Sequence, residues 1–186
     1  MRQWVPNAAR SPKKQAPGSS AGRSAQGMVG NGCAPAGIFK IGKIYGGSES
    51  LPVKSKYPYH RITKLDAWID DPKNPFYNRH VKIGPHEKEP VWFQSQRMRL
   101  GDPAYKWLIE IRHNSDPPKP GYGSAIFFHV QRGPDRKTAG CTAMKLIDLE
   151  RLISFLREDK TPHYVLLPYS EYKRKIKILN LPNFSY

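Results

Sequence analysis

Cysteine is scarce in this sequence of 186 residues, with two in all, so a disulfide-stapled scaffold is excluded and a pair between Cys33 and Cys141 is a minor alternative. Acidic residues are also few, 15 against 31 Lys and Arg, which leaves a formal charge of +16. No apolar run approaches the roughly 20 residues that a membrane helix needs. The opening Met1-Arg2-Gln3-Trp4-Val5-Pro6-Asn7 lacks the apolar core of a secretory signal, so the sequence as written reads as soluble and without a sorting signal. No set of zinc-finger ligands and no RNA-binding aromatic motif accompanies the positive charge. His60, His80, His86 and His163 show no metal-ligand spacing with Cys or carboxylates and read as surface or packing residues, so neither metal nor cofactor is expected.

What is present points to one folded domain, since 38% hydrophobic and 25% charged residues suit a globular chain, and 18 Pro with 15 Gly imply many turns. The charge is unevenly placed. Residues 1–27 carry Arg2, Arg10, Lys13, Lys14 and Arg23 with no acid, and 171–186 carry Lys173, Arg174, Lys175 and Lys177 against Glu171, so the two ends hold half of the excess. Solvated basic termini explain it without specific nucleic-acid binding. Residues 1–27, rich in Ser, Gly, Pro and Ala, read as a disordered basic segment, 28–168 as the folded domain, and 169–186 as a basic tail.

Within the domain, Ile38–Ile41 reads as a short strand, and Tyr45 to Gln96 as a long irregular excursion anchored by Trp68, Phe76, Tyr77, Trp92 and Phe93. Tyr105, Trp107, Ile109 and Ile111 alternate with mostly polar neighbours, the pattern of a half-buried strand. Ser124 to Val130 is a buried central strand carrying His129 near its end. A polar Gly-Pro loop then leads to Gly140-Cys141 and to a helix over about 145–157, whose Leu146, Leu149, Leu152, Ile153 and Leu156 form one apolar stripe. Residues 163–167 give a last strand.

A strand that delivers a His and a loop that returns a Cys behind a Gly are parts for nucleophilic acyl transfer. A helix dipole and a nearby imidazole would lower the pKa of Cys141, and the backbone N–H groups of Gly140 and Cys141 could face a developing oxyanion. His113 and Asn114 end the preceding strand and Thr138 opens the Gly-Cys loop, so all three are candidates for substrate contacts. A turn His and a turn-capping Asn is the other reading of the first two. Arg132 and Arg136 lie between the candidate base and nucleophile, either as partners for substrate carboxylates or as a solvated loop. From spacing alone, a buried structural Cys and a satisfied core His remain open alternatives.

The segment Gly123-Ser124-Ala125-Ile126-Phe127-Phe128-His129, followed by Thr138-Ala139-Gly140-Cys141-Thr142-Ala143-Met144, resembles the signature of the YkuD-type L,D-transpeptidase catalytic domain. Asn31-Gly32 with Ala34 to Phe39 is similar to an earlier segment of that family. Trp68-Ile69-Asp70-Asp71-Pro72 and Tyr77-Asn78-Arg79 resemble the middle region of a divergent branch, as Ala139 and Ala143, where much of the family has other residues, also suggest. The resemblance implies a mainly β, sandwich- or barrel-like fold with a small helical component after the Cys. It implies Cys141 as nucleophile and His129 as base and then acid, the imidazole oriented by a backbone carbonyl near Val130. Peptidoglycan tetrapeptide stems would be the donor and a stem amine or water the acceptor, in the periplasm or cell envelope. The alternatives are an L,D-carboxypeptidase or other thiol hydrolase at the same site, and a basic, catalytically impaired relative. The family's usual strands ahead of residue 31 would be missing, as in a chain shortened at its N-terminus.

Overall fold

A computed structural model describes residues 32–183; the expected disorder of 1–27 lies outside them. Strand β1 (Gly37–Gly46) is the longest element and the organiser of the sheet. Its first half pairs antiparallel with β8 (His163–Leu166), and its second half pairs with β2 (Tyr59–Arg61) in parallel and with β5 (Leu108–Ile111) antiparallel. The strand outruns the expected Ile38–Ile41 because the β5 register shifts between Ile41 and Ile44, a bulge that absorbs Gly42 and lets pairing resume. Antiparallel β6 (Phe127–Val130) and then parallel β7 (Thr142–Met144) complete the order β2-β1-β5-β6-β7. The architecture is therefore mainly β with a small helical part.

Both faces of this sheet are covered. On one face α2 (Leu146–Phe155) packs Leu149, Leu152 and Ile153 against Ile44, Ile109, Ile111 and Phe128. Each such side chain contributes roughly 1.5–3 kcal/mol by leaving water. The helix lies within two residues of its expected span, and Asp148 in its first turn complements the positive end of the dipole.

On the other face lie Tyr45, Ile62, Trp68, Met98, Leu108 and Phe127, of which Ile62 and Trp68 come from the excursion. That excursion has more regular structure than its composition suggests. Besides β2 it holds a two-stranded ribbon, β3 (Asp66–Trp68) with β4 (His80–Lys82), and a single helical turn α1 (Phe93–Gln96). Ala67, Ile69, Ile83 and Phe93 give the ribbon a small core of its own. Trp68, Tyr77 and Phe93 are buried anchors as expected, whereas Phe76 is 48% exposed and anchors nothing.

Strand β5 departs from the half-buried pattern. It starts at Leu108, because Pro103–Tyr105 form a 3-10 turn whose Ala104 N–H is capped by Asp102 Oδ1 at 3.0 Å. Leu108 is buried on the face opposite to Ile109 and Ile111, so the strand is sandwiched between two apolar layers. Beyond β8, the basic tail begins with a helix, α3 (Tyr169–Lys175), in which Arg174 pairs with Glu171. Among the described residues, no helix is long and apolar enough to cross a membrane.

Candidate active site

Alternation along β6 sends Phe128 and Val130 toward α2 and leaves Phe127 and His129 facing the other layer. In the parallel pairing with β7, His129 stands opposite Ala143, two residues past Cys141. With about 3.3 Å of rise per residue and about 4.8 Å between strands, the two Cα atoms are separated by roughly 8 Å on one face of the sheet. His129 and Cys141 line the same cleft, of about 450 Å³, together with Trp68, Phe127, Thr138, Ala139 and Ala143.

The imidazole is oriented by the backbone. His129 Nδ1 lies 2.9 Å from the carbonyl oxygen of Val130. A carbonyl only accepts, so Nδ1 carries the proton and Nε2 of the neutral ring keeps its lone pair. The thiol of Cys141 donates to the carbonyl of Ala125 at 3.3 Å. Burial pushes the thiol pKa up, Phe127 N–H opposes that shift, and Asp70 adds to it. This corrects the expectation of a dipole-lowered pKa. Strand β7 stands between Cys141 and α2, and a helix dipole fades within its first turn.

The approach to Cys141 is tightly built. Thr138 Oγ1 donates to the Cys141 carbonyl at 2.6 Å and accepts from Gly140 N–H over a long 3.4 Å. Gly140 has φ +140°, and a Cβ there would meet the Cys33 carbonyl and Ile126 at 3.2 Å, so only glycine suits this turn. Cys33 is exposed, Cys141 half-buried, and no disulfide joins them. Arg132, from the loop between His129 and Cys141, makes a bidentate pair with Asp102 at 2.8 and 2.5 Å, which ties that loop to the 3-10 turn. Arg136, Lys137, Arg97 and Arg99 also line the cleft, against one carboxylate of the ribbon side, Asp70. That excess of cations suits a ligand bearing carboxylates.

His113 and Asn114 do not line the cleft. His113 Nε2 bonds the Tyr122 carbonyl at 2.8 Å, and Asn114 bonds Lys119 and Gly123, so both close the turn after β5. The residue that holds this turn to the site is Asn78, which the sequence offered only as part of the Tyr-Asn-Arg resemblance. Buried at 5% exposure, it accepts from Trp68 Nε1 and from Ala125 N–H and donates to the carbonyls of His113 and Asn114. Ala125, tethered in this way at φ +54°, is the residue whose carbonyl receives the Cys141 thiol.

His60 and His80, read as surface or packing residues, both pack on Tyr45. His60 and His80 reach the same oxygen of Asp66, at 2.6 and 2.8 Å, and the three form a group able to hold a metal ion. Positions 60, 66 and 80 fall on three different strands, so no short spacing announces them.

Residues 10–165 match the family described as the L,D-transpeptidase catalytic domain, YkuD, a stretch that begins inside the basic N-terminal segment and ends in β8. No curated protein and no solved structure gives a significant match to the chain.

Proposed function

Since the chain belongs to the L,D-transpeptidase catalytic domain family, whose members are acyltransferases acting on peptidoglycan, we propose that it transfers acyl groups of peptidoglycan stem peptides through a thioester on Cys141. The observation that carries this reading is the pair itself. His129 on β6 and Cys141 at the entry to the neighbouring β7 share one cleft, and the Val130 carbonyl holds the imidazole in the tautomer that can accept a proton. His129 Nε2 takes the thiol proton as Sγ attacks the carbonyl at the third residue of a tetrapeptide stem. The same imidazolium then protonates the departing amine of the terminal D-Ala. The thioester passes to an amine of a neighbouring stem, forming a cross-link, or to water, leaving a shortened stem.

The raised thiol pKa fits a mechanism in which Cys141 keeps its proton until substrate displaces the Ala125 carbonyl contact. Cys141 N–H and the turn at Gly140 would steady the oxyanion. Arg136, Lys137 and Arg99 would receive stem carboxylates, and Thr138 would fix the backbone that presents the thiol. The folded domain over 28–168, with basic segments before and after it, would work in the cell envelope.

The test is intact mass after incubation with a carbapenem, which acylates a thiol of this kind, in parallel with release of D-Ala from a synthetic tetrapeptide stem. Wild type forms a covalent adduct and releases D-Ala, and Cys141→Ala does neither. Folded, reduced wild type with no adduct and no release would leave the impaired, basic relative as the reading.

A further inference from the structure

Asp66 opens β3 at 0% exposure, and a carboxylate so placed is costly unless every lone pair is answered. Its Oδ2 accepts from the N–H and the hydroxyl of Thr63, each at 2.7 Å. Oδ1 faces His60 Nε2 from β2 and His80 Nε2 from β4. The two imidazole centroids are 4.5 Å apart, and the ring of Tyr45 lies against both. The three candidate ligand atoms lie within 4.8 Å of one another.

Two imidazole nitrogens gathered on one carboxylate oxygen are the donor set of a three-ligand site with an open fourth position. The geometry lies close to what an ion needs. At about 2.0–2.1 Å from a tetrahedral ion, neighbouring ligand atoms stand roughly 3.3 Å apart, so the rings withdraw from Oδ1 by about 0.5–0.7 Å and their two nitrogens, which lie within 4.8 Å of one another, settle at the same spacing. Thr63 fixes Oδ2 and so aims Oδ1, the outer-sphere support that ligating carboxylates require. The His60 and His80 side chains are 24% and 18% exposed, which gives an ion an approach from solvent and a water its place in the fourth position. Nitrogen donors disfavour calcium and magnesium, and the absence of thiolate from the set disfavours copper(I).

We propose that His60, Asp66 and His80 bind one divalent ion of the zinc class, with water as fourth ligand, and that this ion fastens the β3–β4 ribbon to the edge of the main sheet. The bound rings carry their proton on Nδ1 in place of Nε2, so neutral imidazoles exchange tautomer without net loss of a proton. The site is separate from the acyl-transfer cleft and does not depend on that reading. It stands behind it, because Tyr45 packs on both imidazoles and on Trp68 and Phe127, whose other surfaces line the cleft.

The experiment uses the tag-free full chain, stripped with EDTA, checked for folding by circular dichroism and kept reduced. It is titrated with zinc chloride by calorimetry and with cobalt(II) by visible absorption, alongside His60→Gln, His80→Gln and a Cys33→Ser/Cys141→Ala double variant. One equivalent binds, the melting temperature rises, and the cobalt spectrum shows bands of a low-coordinate site without sulfur-to-metal charge transfer. Either His variant binds at least ~10-fold more weakly, whereas the double Cys variant binds as wild type does. Folded wild type that takes up no zinc, or uptake that survives both His variants or vanishes with the thiols, overturns the proposal.

Discussion

Replacing Asn78 with Ala removes four hydrogen bonds at once and leaves two buried donors, Trp68 Nε1 and Ala125 N–H, without their acceptor. A stranded buried donor costs about 1–3 kcal/mol, and the left-handed backbone at φ +53° costs a non-glycine residue other than Asn or Asp roughly 1 kcal/mol more. Rehydration of the His113 and Asn114 carbonyls near the surface offsets part of this. Taking the low end for both donors, the loss comes to about 3 kcal/mol, which for a chain of this length lowers Tm by roughly 6–12 °C. Urea unfolding followed by tryptophan fluorescence measures it. Asn78→Gly separates the two contributions, since it relieves the backbone and restores none of the bonds. Asn78→Asp keeps the acceptor for Trp68 and Ala125 but turns its second oxygen toward two carbonyls. A loss below about 1 kcal/mol in Asn78→Ala would refute the account of Asn78 as the tie between ribbon, turn and thiol.

In a Cys33→Ser background, alkylation of Cys141 by iodoacetamide will be slow at neutral pH and will rise with a midpoint above the ordinary thiol value of about 8.5, because burial favours the protonated form; a midpoint below neutrality would contradict it. Glu110 has its pKa raised by burial, against the Lys43 N–H and the Arg112 and Lys43 charges, so the folded state holds its proton more tightly than the unfolded one. Its contribution is full below the unfolded value near 4.3 and is lost as pH rises through the folded pKa. Wild type should therefore lose stability over that rise while Glu110→Gln does not, as melting curves from pH 4 to 7 will show. Gly140→Ala places a Cβ 3.2 Å from the Cys33 carbonyl and Ile126, at a cost of about 1–3 kcal/mol. Its carbapenem adduct should form far more slowly than that of wild type, and equal rates would mean that the turn does not present the thiol.

Elements with enough residues to show a period were legible in the sequence. The apolar stripe of α2 and strand β8 lie within a residue or two of their expected places, while the strand expected over 124–130 keeps its end at Val130 but begins only at Phe127, because Ala125 takes a left-handed backbone. Strands β2, β3 and β4 have three residues each, too few for alternation to separate from chance, so the excursion read as irregular. Leu108 misled for a different reason. A second apolar layer covers it, and that layer is gathered from distant places in the sequence: Tyr45 on β1, Ile62 just after β2, Trp68 on β3, Met98, and Phe127 on β6. Within the candidate site, His129 and Cys141 were visible through their signature. Asn78 was hard to single out because a buried Asn and a turn Asn look alike in one sequence, and His60, Asp66 and His80 because only tertiary pairing joins them.

The short strands nevertheless decide what the Cys–His pair faces. One wall of the cleft is the main sheet, fixed by apolar burial under α2, and alternation on β6 keeps Phe128 for that core and His129 for the cleft. The opposite wall rests on Trp68, whose indole packs on Phe127 at 4.7 Å between ring centroids and donates to Asn78. Trp68 sits on a ribbon with only a small core, tied down by polar contacts of Asn78 and Asp66. Hydrogen bonds of this kind contribute about 1 kcal/mol each and are lost together when a segment opens, so this wall depends on polar contacts more than the sheet under α2 does. A wall that yields while the sheet does not would let a bulky stem peptide enter without disturbing the register that holds His129 beside Cys141.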